Sequence, residues 1–174
     1  MFMFGRKKDQ KKGEGFTLLE VLVVISVVCI IFGTLLIAIN PRALLQKSRD
    51  AKRMQDLDAM FKAINLALAD GEITLTPTVE CSDCTSSTGS PDADGTGYIK
   101  FNIVAGKQGL VRYGIDRLPL DPLNRNANVY SFGSTATGFE IDTVLENPDN
   151  APKMSTDGGS DINKYEVGTN LKIL

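Results

Sequence analysis

The sequence predicts an α+β fold in which one long N-terminal helix packs on a small antiparallel sheet. Three observations carry that reading. Phe16 to Ile39 is a 24-residue apolar run whose only charged side chain is Glu20; Arg42 to about Asp70 is polar but helically periodic; and short β-rich runs separated by glycine and polar clusters follow residue 97. The 174 residues accommodate that helix and one small soluble domain of roughly 100 to 130 residues, not a second large one.

As a helix, the apolar run is about 36 Å long, enough to cover a bilayer core of about 30 Å. A secretory signal fits less well. Its apolar region is typically about 7 to 15 residues and ends in a small-x-small site, which Leu36-Ile37-Ala38-Ile39-Asn40 does not offer. Basic residues do not orient the span: Arg6, Lys7, Lys8, Lys11 and Lys12 precede it, and Arg42, Lys47, Arg49, Lys52 and Arg53 follow it.

Glu20 requires a partner. An ionised carboxylate in hydrocarbon costs a few kcal/mol, somewhat less near a helix end. If the Gly15–Phe16 bond is cut, the new Phe16 amine becomes a cation one helical turn from Glu20. Paired between neighbouring chains, the two charges favour a single axial stagger and are uncompensated at any other, which makes them a register device for a helical array. Snorkelling of Glu20 to the headgroups is the simpler alternative.

Gly15 before an abrupt apolar start, Phe16 next, Glu20 at the fifth position after the glycine, and the block Val21 to Ile39 together resemble the prepilin signature of the type IV pilin and pseudopilin superfamily. The resemblance implies a pilin-like fold and a division of the chain into residues 1–15 as a cleaved leader and 16–39 as the transmembrane and polymerisation helix. It also implies cleavage between Gly15 and Phe16 by a membrane aspartic peptidase that methylates the Phe16 amine, with Glu20 acting in assembly. The implied partners are copies of the chain and related pilins in a helical filament, the prepilin peptidase and methyltransferase, an inner-membrane assembly platform, and lipid before assembly. The precursor is expected in the cytoplasmic membrane with its head outside, and the product as an extracellular pilus. A periplasmic pseudopilus of type II secretion, or an anchored binding protein that never polymerises, is the alternative.

Pro41 cannot sit inside a continuous helix without losing an amide donor and clashing with the carbonyl of Ile37, at about 3 kcal/mol. Either Asn40 caps a second helix that Pro41 opens, or residues 33–41 form a weak point that unwinds in a fibre. The second helix, residues 40–70, places Met54, Leu57, Phe61, Ile64 and Leu68 on one face, suited to packing on a sheet. Arg49, Asp50, Lys52, Arg53, Asp56, Asp58 and Lys62 are expected on its solvated sides, where they could meet the acidic head of a neighbour.

Residues 71–97, rich in Ser, Thr, Asp, Gly and Pro, are expected to form a variable surface loop or an interaction surface. Residues 98–174 are expected to form the antiparallel sheet of the head, with strands at Tyr98 to Val104, Leu110 to Ile115, Val129 to Phe132, Phe139 to Val144 and Tyr165 to Ile173. Gly133 to Gly138 suits a hairpin loop. Leu118-Pro119-Leu120-Asp121-Pro122 reads as a rigid turn, and it also looks like the turn before the hairpin in major pseudopilins and some bacterial pilins.

The leader carries five of the 19 basic and two of the 21 acidic residues, so its removal leaves 14 and 19, a net charge of −5. From Asp70 onward eight basic residues face fifteen acidic ones, so no specific nucleic-acid binding is expected of the head. Cys29 lies in the apolar run as a small hydrophobic filler. Cys81 and Cys84 are read as a local disulfide. A redox site needs a strand-helix-strand setting and a zinc site needs two further ligands, while the chain has no histidine. No cofactor is expected, except that the oxygen-rich Ser155 to Asn163 suits either a plain turn or calcium. For the latter, Asp157, Asp161 and Asn163 are the candidate ligands, and type II secretion pseudopilins carry calcium near this end of the chain. No nucleophile-base pair or carboxylate dyad suggests an enzyme.

Overall fold

Thr17 starts the first helix. Its backbone is extended and its hydroxyl accepts the amide of Glu20 at 3.2 Å, so α1 runs Leu18–Ile39 from a capped N-terminus. The computed structural model describes residues 15–78 and 81–174, and the side chains of 36–39 lie outside the description. The basic leader through residue 14 lies outside it as well. By internal contacts the chain divides after Pro41.

Asn40 takes a left-handed conformation (φ 46°) at the end of α1, and α2 begins at Pro41 and runs Pro41–Ala69. Asparagine tolerates this region better than most residues. Proline at the first helical position sacrifices an amide that has no intrahelical acceptor. The sequence expectation of a helix opened by Pro41 matches this arrangement.

In the second unit, α2 buries Leu57, Met60, Ala63, Ile64 and Ala67 against Tyr98, Phe101, Leu110, Phe132, Phe139 and Ile141. The buried stripe is turned slightly from the expected one. Met60, Ala63 and Ala67 take the centre, while Met54, Phe61 and Leu68 are half-buried. Small alanines allow a close approach to the sheet, and the longer Phe61 reaches Phe139 from the flank at a ring separation of 6.0 Å.

Among the described residues, two small sheets replace the single expected one. β1 (Ile73–Leu75) pairs antiparallel with β2 (Phe101–Ile103), and β3 (Ser131–Ser134), β4 (Phe139–Thr143) and β5 (Tyr165–Gly168) form a three-stranded antiparallel sheet in that order. The expected strand Leu110 to Ile115 is instead a 3₁₀ turn, Gly109–Tyr113. It is bracketed by Gly109 and Gly114, both at positive φ (64° and 81°), and this backbone breaks a ladder at both ends. The strand expected through Ile173 stops at Gly168, after which the chain folds back until Ile173 and Leu174 cover Gly133 on β3. A Cβ on Gly133 would come within 2.8 Å of Leu174, so the glycine belongs to the strand and the turn narrows to residues 135–138.

Described parts of residues 71–97, expected as a surface loop, are woven into the core. They supply β1, and Cys84 and Ser86 flank β3, with Phe132 donating to the Cys84 carbonyl (2.9 Å) and Ser86 to that of Tyr130 (2.8 Å). Short polar segments without periodicity gave no sign of this pairing.

Candidate functional site

Around the Gly15–Phe16 bond the geometry is simple. Gly15, Phe16, Thr17 and Glu20 line one open hollow of about 260 Å³. Phe16 is 81% exposed, and none of the side chains of Leu18–Leu35 is buried. Within this helix the Ser26 hydroxyl donates to the Leu22 carbonyl and that of Thr34 to Ile31, both at 2.8 Å. Their polarity is thus satisfied inside the helix. Among the described residues no partner meets the Glu20 carboxylate, although its place in the first turn favours a negative charge. Cys29 is exposed on the same helix.

The upper part of α2 differs from the expectation. Asp50, Arg53 and Asp56, read as a solvated surface, are buried. They continue the stripe of Leu57, Met60 and Ile64 upward at the same spacing of three and four, and the facing head supplies their counter-charges. Arg53 reaches Asp121 through Nε and Nη2, Asp50 through Nη1 at 2.9 Å and Glu146 through Nη1 at 2.6 Å. Arg49 grips Glu146 with two bonds of 2.8 and 2.6 Å. Asp50 also accepts the amides of Glu146 and Asn147 and the Asn150 side chain. Tyr130 donates to Asp56 at 2.9 Å. Burial opposes the Arg53 charge, and the bonds from Asp121 and Glu146 outweigh it, holding the guanidinium above its ordinary pKa. Arg49, followed by Arg53, holds Glu146 below the usual carboxylate range. The basic helix therefore meets the acidic head of its own chain. Asp121, taken from sequence only as part of a rigid turn, is the buried anchor of that turn.

Cys81 and Cys84 form a disulfide with their Cα atoms 5.6 Å apart. So short a ring stabilises by at most about 2 kcal/mol. Reduction is expected to lower the melting temperature by only a few degrees and to leave the head folded; far-ultraviolet dichroism with and without reductant checks this.

The calcium candidates occupy a tight loop. Asp157 accepts the amides of Gly159 (2.9 Å) and Glu166 (2.8 Å), and Asp161 accepts the amide of Asn163 at 2.9 Å and its side chain at 3.2 Å. These bonds are those of a turn built by its own side chains. Under the loop, on the outer face of the three-stranded sheet, lie three buried acids that the sequence reading did not single out: Glu140, Asp142 and Glu166. Phe-Glu-Ile-Asp-Thr on β4 alternates as a half-exposed strand does; the covering segment 155–174 could not be foreseen from that pattern. Asp142 pairs with Lys164 at 2.6 Å. Burial, then the neighbouring Glu140, pushes the Glu166 carboxyl up to about 7, with Asp157 adding to the rise and the Asp161 amide opposing it.

That shift sets a pH dependence. The folded chain keeps a proton on Glu166 that the unfolded chain releases near the ordinary value of 4.5, so stability falls as pH rises from there through about 7. With metal chelated, the melting temperature is expected to be higher at about pH 5.5 than at about pH 8, and Glu166→Gln is expected to flatten the profile. Glu146 acts oppositely and lower: its contribution is present above the ordinary carboxylate range and is lost on stronger acidification.

No curated protein and no solved structure matches the chain. Residues 10–36 match the family model of the prokaryotic N-terminal methylation motif, which spans the Gly15–Phe16 bond, Glu20 and most of the apolar helix. The chain therefore carries the type IV pilin and pseudopilin signature at its N-terminus, and this motif together with the apolar helix supports a membrane-anchored precursor of that kind.

Proposed function

We propose that the chain is a structural subunit of a type IV pilus or pilus-like filament, cut after Gly15, methylated at Phe16 and assembled through α1. The observation that carries the reading is the exposed apolar helix with one carboxylate in its first turn, directly after the motif glycine. Such a surface needs lipid before assembly and like helices afterwards. Cleavage supplies the cation that Glu20 needs. Between neighbours that pair sets the axial stagger, while the apolar faces supply contact area with little register of their own. The acidic head then faces the exterior.

A pseudopilin working within the envelope is the second reading, favoured by the Leu118 to Pro122 turn. Shearing intact cells separates the two. A pilus subunit appears in the sheared surface fibres, whereas a pseudopilin remains with the cells.

A further inference from the structure

The outer face of the three-stranded sheet holds more negative charge than its surroundings neutralise. In the β4–β5 register Glu140 lies opposite Gly168 and Asp142 opposite Glu166, which places all three acids on one face. They are at most 2% exposed. Lys164 pairs with Asp142, and among the described residues no side-chain cation pairs with Glu140 or Glu166. Backbone amides satisfy one oxygen of each: Glu140 Oε2 accepts from Ile173 (2.7 Å) and Leu174 (3.1 Å), and Glu166 Oε2 from Asp161 (3.2 Å). The other oxygen of each, Oε1, is buried with no hydrogen-bond partner. Glu140 and Glu166 are diagonal neighbours across the β4–β5 ladder, a spacing that two long side chains can span.

Two facing carboxylates out of water repel strongly unless a proton or a cation lies between them. Carboxylate oxygens, in a chain without histidine and away from the cysteines, are hard donors that suit calcium or magnesium rather than zinc or copper. With both carboxyls ionised, the two charges match one divalent ion, which would take the place of the proton that Glu166 otherwise keeps. We propose that Glu140 and Glu166 hold a hard divalent cation through their Oε1 atoms. The ion ties the segment that follows β5 to the sheet, since Glu140 already grips Ile173 and Leu174 and Glu166 supports the turn at Asp161. This site is distinct from the loop residues Asp157, Asp161 and Asn163, which bond within the turn, and it does not depend on whether the chain polymerises.

The test uses the full chain in detergent, stripped with chelator and titrated at neutral pH with calcium or magnesium chloride by isothermal calorimetry and thermal melting. One ion per chain and a rise in melting temperature of at least about 5 °C at millimolar metal are expected for one of the two cations. The double variant Glu140→Gln/Glu166→Gln is expected to lose both responses, and Asp161→Asn to keep them. Absence of heat and of any melting shift in the parental chain with both cations overturns the proposal and leaves a shared proton between the carboxyls. A response that survives in the double variant overturns it as well, because the ion then binds elsewhere. Since the parental titration alone can give the negative, a misfolded variant does not shield the proposal.

Discussion

Glu20→Ala is expected to leave processing intact and to cut the yield of sheared fibres by about tenfold or more. The two halves of that expectation have separate causes. The proposed cleavage acts at the Gly15–Phe16 bond, and the helix after it remains capped by Thr17, whose hydroxyl bonds the backbone amide of residue 20 rather than its side chain. Assembly, in the proposed filament, leaves the Phe16 amine in an apolar environment with nothing to pair it. Removing one partner of a buried ion pair costs about 3–5 kcal/mol, and about 1.4 kcal/mol already amounts to a factor of ten. Immunoblots of whole-cell and sheared fractions measure both halves. Normal fibre yield would show that Glu20 does not set the register. Gly15→Val is expected to give the complementary result, with precursor accumulating uncut because the side chain obstructs the peptidase.

Arg53→Met is expected to be the most damaging single change in the head. The methionine fills much of the same volume, but Asp50 and Asp121 remain buried with their guanidinium removed, and Glu146 keeps only Arg49. A loss of about 3–5 kcal/mol follows, read as a fall of about 10 °C or more in the melting temperature of the chain in detergent. Lysine is expected to recover little, since one ammonium cannot reproduce bonds that diverge to Asp50, Asp121 and Glu146. By contrast, loss of the exposed pair Lys62–Asp58 should change stability by less than about 0.5 kcal/mol. A melting temperature within a few degrees of the parent for Arg53→Met would mean that the cluster adds nothing net to stability.

What the sequence disclosed and what it withheld follow one physical line. The N-terminal motif and the apolar helix were legible because a membrane requires a long, uninterrupted run, and a lone charge within it stands out. The α+β architecture and β4 followed from clear periodicity. The buried ion cluster was misread because polar side chains at positions 50, 53 and 56 look solvated until the facing partners Asp121 and Glu146, some seventy to a hundred residues away in the chain, are known to be opposite them. The spacing held the clue, since those positions extend the stripe of Leu57, Met60 and Ile64 without a break. Glu140 and Glu166 were missed for the same reason: alternation reports which face a residue occupies, not whether a later segment covers that face. The weaving of β1 and of Cys84 to Ser86 into the core rests on short backbone pairings, and these leave almost no trace in side-chain pattern.

The most direct test of the central claim is the mass of the mature N-terminal peptide, taken from chain recovered from cell envelopes and from sheared fibres. Processing and assembly predict a peptide that begins at Phe16, carries one added methyl group on its amine, and is present in the fibre fraction. An N-terminus that retains the leader through Gly15 in that fraction would contradict the account.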